Sequence, residues 1–315
     1  MENERTKLGS AFRQHDRVWQ SNLYVYPVIA RRSHGVSIGL NLDPDKGCNF
    51  GCVYCQVDRT FPSLTRKVDL VRLEAELVAL IEAAQSGRLF ESPPFDLLAP
   101  GARMVRDIAF SGDGEPTTFP RFKEAVEIAA RARNRFGLLA TKLVLITNAA
   151  YLTRPRVREA LEVLDANNGE IWAKLDAGTE AYFEMINRPN VSLRTILDSI
   201  LDAARVRPVV IQTMWLRLRG EVPPSGEVEA YCERLNELLQ AGARLSTLQL
   251  YTVAREPTEA YVAPLADAEL DAIAAQVRER VAVPVEVYYD SRGDVLETAT
   301  DEHGDGRLDD GRTEG

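Results

Sequence analysis

Apolar positions recur along this chain in two rhythms. Leu70, Leu73, Leu77, Leu80 and Ile81 fall three and four residues apart, as do Leu193, Ile196, Leu197, Ile200 and Leu201. That spacing places each set on one face of an α-helix. The same period predicts helices over residues 122–136, 157–164, 228–239 and 270–281. Between them lie short β-rich runs at 36–40, 108–110, 143–146, 171–175, 209–212 and 248–253. Six strands alternating with helices call for a parallel sheet whose outer face the helices cover. A closed barrel of this kind needs eight such units in ~250 residues, so the predicted fold is α/β, a partial, open (β/α)6 barrel. It spans residues 36–290, after an N-terminal extension over 1–35. Residues 86–106 show no period and read as either a lid or a slack loop.

Composition changes this picture only at the ends. The chain is 45% hydrophobic and 27% charged, ordinary for a soluble globular protein. No run of ~18 apolar residues suggests a membrane helix. The first ten residues are polar, with no apolar stretch of the signal-peptide kind, so a cytoplasmic location is expected. The net charge of −9 is uneven: after residue 290 stand eight acids against three arginines. This acidic, glycine-rich tail, 291–315, is expected to be disordered. The remainder is mildly acidic, which does not by itself indicate a nucleic-acid binder but leaves room for a local basic groove.

Three of the four cysteines fall within eight residues, in Asp45-Lys-Gly-Cys48-Asn-Phe-Gly-Cys52-Val-Tyr-Cys55. A disulfide framework would spread its cysteines to close loops, so the cluster points to metal. Three thiolates can hold three irons of a [4Fe-4S] cubane and leave the fourth iron open, with Gly47 and Gly51 turning the backbone around it. A structural zinc site with a fourth ligand from His34 or His15 is the competing reading. Cys232 stands alone in a predicted helix, where a cysteine usually packs as a small apolar residue.

The other distinctive residues sit where predicted strands end, the reactive end of such barrels. Ser111-Gly112-Asp113-Gly114-Glu115-Pro116 follows the second strand and Asn148 the third; Lys174 and Asp176 end the fourth, Gln212 and Thr213 the fifth. Lys174 can pair with an anionic group or form an internal ion pair with Asp176 or Glu115, and burial can lower its pKa toward amine chemistry. Arg31, Arg32 and Arg59 flank the cysteines and either meet an anionic partner or face solvent. Gln249, Tyr251 and Arg255 lie near the sixth strand.

The Cys-x3-Cys-x2-Cys spacing with Tyr54 before the last cysteine resembles the signature of the radical S-adenosylmethionine (SAM) superfamily. The resemblance implies that Cys48, Cys52 and Cys55 bind one [4Fe-4S] cluster whose open iron SAM chelates. It further implies that reductive cleavage of SAM gives a 5′-deoxyadenosyl radical that abstracts hydrogen from a substrate. Tyr54 would approach the adenine. Gly112, Gly114 and Glu115 resemble the segment that binds the SAM amino group. Asn148, Gln212 and Thr213 offer neutral hydrogen bonds for ribose hydroxyls or the SAM carboxylate, or cap a following helix. Lys174 and Asp176 become SAM or substrate contacts. The segments FSGDGEPT, LITNA, KLDAGTEAYFEMINRP and LQLYTVAREP resemble the subgroup related to the tRNA wyosine-forming enzymes. Those enzymes carry a second cluster on upstream cysteines, and here no cysteine precedes Cys48. The resemblance implies a flavodoxin- or ferredoxin-type one-electron donor and leaves two substrate classes, RNA, tRNA in particular, and protein or peptide. A non-catalytic zinc-stabilised binding module is the reading from a different class.

Overall fold

The computed structural model describes residues 19–30, 34–255 and 257–289. The predicted acidic tail, His15, Arg31 and Arg32 lie outside the described residues. A sheet of eight strands carries the fold: β1 (Val25–Ala30), β2 (Gly35–Leu40), β3 (Val105–Phe110), β4 (Lys142–Thr147), β5 (Gly169–Lys174), β6 (Val209–Met214), β8 (Leu245–Tyr251) and β10 (Val285–Tyr288). They are hydrogen-bonded in that order. From β2 onward each neighbouring pair is parallel, whereas β1 runs antiparallel to β2. The sheet curls into an open partial barrel. A short antiparallel ribbon joins β7 (Leu216–Leu218) to β9 (Val262–Pro264).

The helices are α1 (Leu70–Gln85), α2 (Phe122–Arg135), α3 (Pro155–Asp165), α4 (Glu180–Asn187), α5 (Leu193–Val206), α6 (Ser225–Gln240) and α7 (Asp267–Arg280). Their periodic apolar residues are the buried ones, among them Leu73, Leu77, Leu80 and Ile81 of α1. α1 starts where the Asp69 carboxylate accepts from the Val71 and Arg72 amides at 2.9 and 3.3 Å, satisfying N–H groups that a helix start leaves orphaned. Two turns later the buried Glu76 accepts from the amides of Leu23, Tyr24 and Val25, tying the helix to the start of β1. Every residue of β6 is buried, as a strand covered on both faces requires.

The six predicted strands are present, joined in the eight-stranded sheet by two that the pattern does not reveal. β1 contains Pro27, which argues against a strand inside a sheet; here it belongs to an edge strand, where a missing N–H costs no ladder bond. β10 is only four residues long and has too little sequence to show a period. The segment 86–106 is neither lid nor slack loop. It forms three short 3-10 turns that bury Leu89, Phe90, Phe95 and Leu98, and Arg103 ties it by donating to the carbonyls of Leu98 and Asp96.

Candidate active site

The loops leaving the C-terminal ends of the parallel strands enclose a cavity of ≈ 390 Å³. Cys48, Cys52, Cys55, Tyr54, Gly112, Gly114, Glu115, Asn148, Lys174 and Asp176, widely separated in sequence, all line it. Gln212 and Thr213 do not. Gln212 is buried against Gln249, to which it donates at 2.8 Å, and Thr213 points away to the Tyr231 hydroxyl at 2.6 Å. Successive strand residues face opposite ways, so these neighbours never shared a face. Tyr251 and Arg255 reach the cavity, as do Tyr26, Trp172 and Asn187, which no local sequence signal singled out.

The cysteine loop is held by α4. The Gly51 amide donates to the carbonyls of Asn187 and Arg188 at 3.1 and 3.2 Å, and the Val53 amide donates to that of Ile186 at 2.9 Å. Phe50 packs edge-on against Phe183 with centroids 5.7 Å apart. At its far end, Arg59 folds back on its own loop, donating to the Lys46 carbonyl at 3.0 Å and to Cys55 Sγ at 3.3 Å. Arg59 therefore braces the cysteines.

The glycine–glutamate turn is a packing device. A Cβ on Gly114 would collide with the Gly47 carbonyl oxygen and lie 2.7 Å from Asp43 Cβ, and one on Gly112 would run into the Asn41 side chain. Both glycines let the turn press against the segment that leads into Cys48. Asn41 locks the two together, donating to Asp113 Oδ2 at 2.7 Å and accepting from the Asp113 amide at 3.1 Å. Glu115 is buried beneath. It accepts from the Thr117 amide and hydroxyl, the Thr147 hydroxyl at 2.7 Å and the Asn148 amide at 2.7 Å. Burial pushes its carboxyl up and these donors pull it back. Asn148 continues the chain of contacts, donating to Asn49 Oδ1 at 2.8 Å. Its own oxygen accepts from the Ala150 amide at 3.1 Å, a local turn well ahead of α3.

Lys174 pairs with Asp176, with Nζ 3.4 Å from Oδ1. It also donates to the Tyr251 hydroxyl at 2.6 Å and sits 4.8 Å from the Tyr54 ring centroid and 5.2 Å from that of Tyr251. Burial works against the ammonium, but Asp176 and then Tyr251 outweigh it and hold the lysine above its ordinary value. The lowered pKa that amine chemistry needs is absent here. Asp176 itself is fully engaged, accepting from the Tyr54 hydroxyl, from Asn187 Nδ2 at 2.9 Å and from the Met214 amide at 2.9 Å.

Asp43 lies next to the turn, buried, with Oδ1 accepting from the Thr118 hydroxyl at 3.0 Å and Oδ2 without a partner among the described residues. Burial pushes its carboxyl up to about 8, assisted by the charges of Glu115, Asp45 and Asp113. Between the ordinary carboxylate range and pH 8, the folded chain thus keeps a proton that the unfolded chain releases. This group's contribution falls with rising pH across that window, by at most about 1.4 kcal/mol per pH unit. Asp43→Asn is accordingly expected to gain melting temperature over the parent progressively from pH 5 to pH 8, and a gap that does not change with pH would refute the assignment.

The donor set fits an iron–sulfur cubane better than a lone ion. Among the described residues no three His, Cys, Asp or Glu side chains converge closely enough to hold a single metal ion; the three thiols border a cavity instead. A cubane takes one thiolate on each of its ligated irons and so accepts sulfurs that do not meet at one point. His34 is exposed and is not part of the cavity wall. Burial raises the Cys52 thiol, so metal binding there must release a proton. Cys232 is buried in α6, within the hydrophobic core.

Comparison with known proteins shows the family of the chain. The family model "Radical SAM superfamily" matches residues 44–219, more than half of the chain and the span from the cysteine loop to the end of β7. A UPF0026 protein of Helicobacter pylori strain J99 is 25% identical over 224 residues, which cover 70% of this chain and 65% of that protein. The chain thus spans just under two thirds of the length of that curated relative. A crystal structure of Streptococcus suis SuiB bound to S-adenosylmethionine superposes with a TM-score of 0.54 at 11% identity, covering 82% of this chain and 52% of SuiB. A structure of TYW1 with a lysine-pyruvate adduct bound gives a TM-score of 0.49 at 16% identity, covering 86% and 80% of the two chains. Among the described residues no helix is long and apolar enough to cross a membrane. With Cys48, Cys52 and Cys55 inside the matched segment, the chain belongs to the radical SAM superfamily, enzymes that use a [4Fe-4S] cluster and SAM.

Proposed function

We propose that Cys48, Cys52 and Cys55 hold one [4Fe-4S] cluster and that SAM binds beside it, between the Gly112–Gly114 turn and the Lys174–Asp176 pair. The observation that carries this is the meeting of these groups on one cavity wall. When bound, the cluster and SAM supply reductive carbon–sulfur cleavage that leads to hydrogen abstraction from a substrate. The chain's own residues shape and dry the chamber. Asn41 and the two glycines fix the turn against the cysteine loop, and Glu115 anchors it from below. Tyr54 and Tyr251 sandwich Lys174 so that its charge faces the cavity at a set place. A flavodoxin- or ferredoxin-type donor supplies the electron, in the reducing cytoplasm that such a cluster needs.

For substrate, the reading favours RNA, tRNA in particular. On loops beyond the strand ends, Arg154 stacks on the Tyr151 ring at 3.5 Å and Arg219 lies 4.9 Å from the Tyr261 centroid. Such guanidinium–aromatic surfaces suit unstacked bases. The test is anaerobic incubation with SAM, dithionite and either a tRNA or a protein fraction, followed by measurement of 5′-deoxyadenosine and mass spectrometry of both fractions. Stimulation by tRNA that weakens steeply with salt, with a mass change in the RNA, is the expected result. Stimulation and a mass change confined to protein would transfer the assignment to peptide modification.

A further inference from the structure

Asn187, the last residue of α4, is 98% buried, and its amide stands between the cysteine loop and the rest of the cavity. Its Nδ2 lies 3.5 Å from Cys52 Sγ, 3.2 Å from the Tyr54 hydroxyl oxygen and 2.9 Å from Asp176 Oδ2. All three neighbours are acceptors: a ligating thiolate, a carboxylate, and a phenol whose own proton goes to Asp176. An amide has donors only on nitrogen, so the side chain has one permitted orientation, nitrogen toward them and oxygen away. In that orientation Oδ1 is buried with no partner among the described residues. A buried acceptor left bare costs about 1–3 kcal/mol, a cost that a ligand donor reaching it from the adjoining cavity would remove. The position is not adjustable, because the Gly51 amide, between Cys48 and Cys52, grips the Asn187 carbonyl at 3.1 Å.

We propose that Asn187 couples cluster reduction to cofactor binding through one amide: its N–H groups stabilise the added electron at the Cys52 sulfur, and its oxygen accepts from a donor group of bound SAM. The inference rests on the reading of the site given above and extends it to a residue acting on both partners. A hydrogen bond to a cluster sulfur draws negative charge from it and favours the reduced state. Removing the amide therefore lowers the midpoint potential, and removing the acceptor weakens SAM binding.

Two substitutions separate the arms. Asn187→Leu keeps the branched shape and loses both functions; Asn187→Asp keeps an oxygen in place of Oδ1 and loses the N–H groups. Each is reconstituted with iron and sulfide, assayed for iron, and titrated redox-potentiometrically by the electron paramagnetic resonance of the reduced cluster; SAM affinity is measured in parallel. Asn187→Leu is expected to retain its iron and lose at least tenfold in the reduced-to-oxidised ratio at a fixed poise, a shift of 59 mV for one electron, together with about tenfold in SAM affinity. Asn187→Asp is expected to show the potential shift while keeping the affinity. Parental potential in Asn187→Leu overturns the proposal. If Asn187→Leu fails to hold iron, Asn187→Asp decides, and a parental potential there overturns it too. Failure of the unsubstituted chain to take up a cluster would instead strike the functional reading itself.

Discussion

Replacing Asp176 with alanine will destabilise the fold by ~3–5 kcal/mol, the cost of stranding one member of a buried ion pair. The carboxylate is 1% exposed, faces Lys174 at 3.4 Å, and accepts from the Met214 amide, the Tyr54 hydroxyl and Asn187. Without it, the lysine keeps the burial that opposes its charge and loses the largest influence sustaining it. Denaturant unfolding should show a lower midpoint with an unchanged slope, since the surface exposed on unfolding is the same. A double substitution, Lys174→Met with Asp176→Ala, should recover part of the loss, because the stranded cation is gone. Recovery will be incomplete, as the Met214 amide and the Tyr54 hydroxyl still lack their acceptor. A loss below ~1 kcal/mol in the single variant would mean that water reaches the pair and that the cavity floor is not dry.

Much of this arrangement is legible in the sequence. Helical spacing in α1 and α5 identified their buried faces, and the alternation of strands and helices gave the open barrel. The cysteine spacing and the Gly-Asp-Gly-Glu turn carry their chemistry within a few residues, so they can be read locally. What escaped depends on contacts across long sequence separations. Pro27 disguised β1, because nothing local marks a strand as an edge. Thr213 looked like a site residue by its place at a strand end, yet the parity of β6 turns it outward to Tyr231. Asn187 is an ordinary helix-end asparagine in sequence, and its role appears only where the loop after β2 meets α4, 135 residues from Cys52. Gly112 and Gly114 resemble a cofactor-binding segment in sequence, and the structure shows them also needed so that two loops can touch.

Substituting any one of Cys48, Cys52 or Cys55 with alanine has the largest effect on chemistry, because a cubane held by three thiolates has none to spare. Cys232→Ala, in the core of α6, is the matched control and should leave the cluster in place. The decisive measurement is iron and acid-labile sulfide per chain in anaerobically prepared protein, alongside 5′-deoxyadenosine released on adding SAM and dithionite. About four of each per chain, with nucleoside release in the parent and the Cys232→Ala control and neither property in the three loop variants, is the predicted outcome. About one zinc per chain with no nucleoside, or iron and release that survive loss of a loop cysteine, would contradict the account.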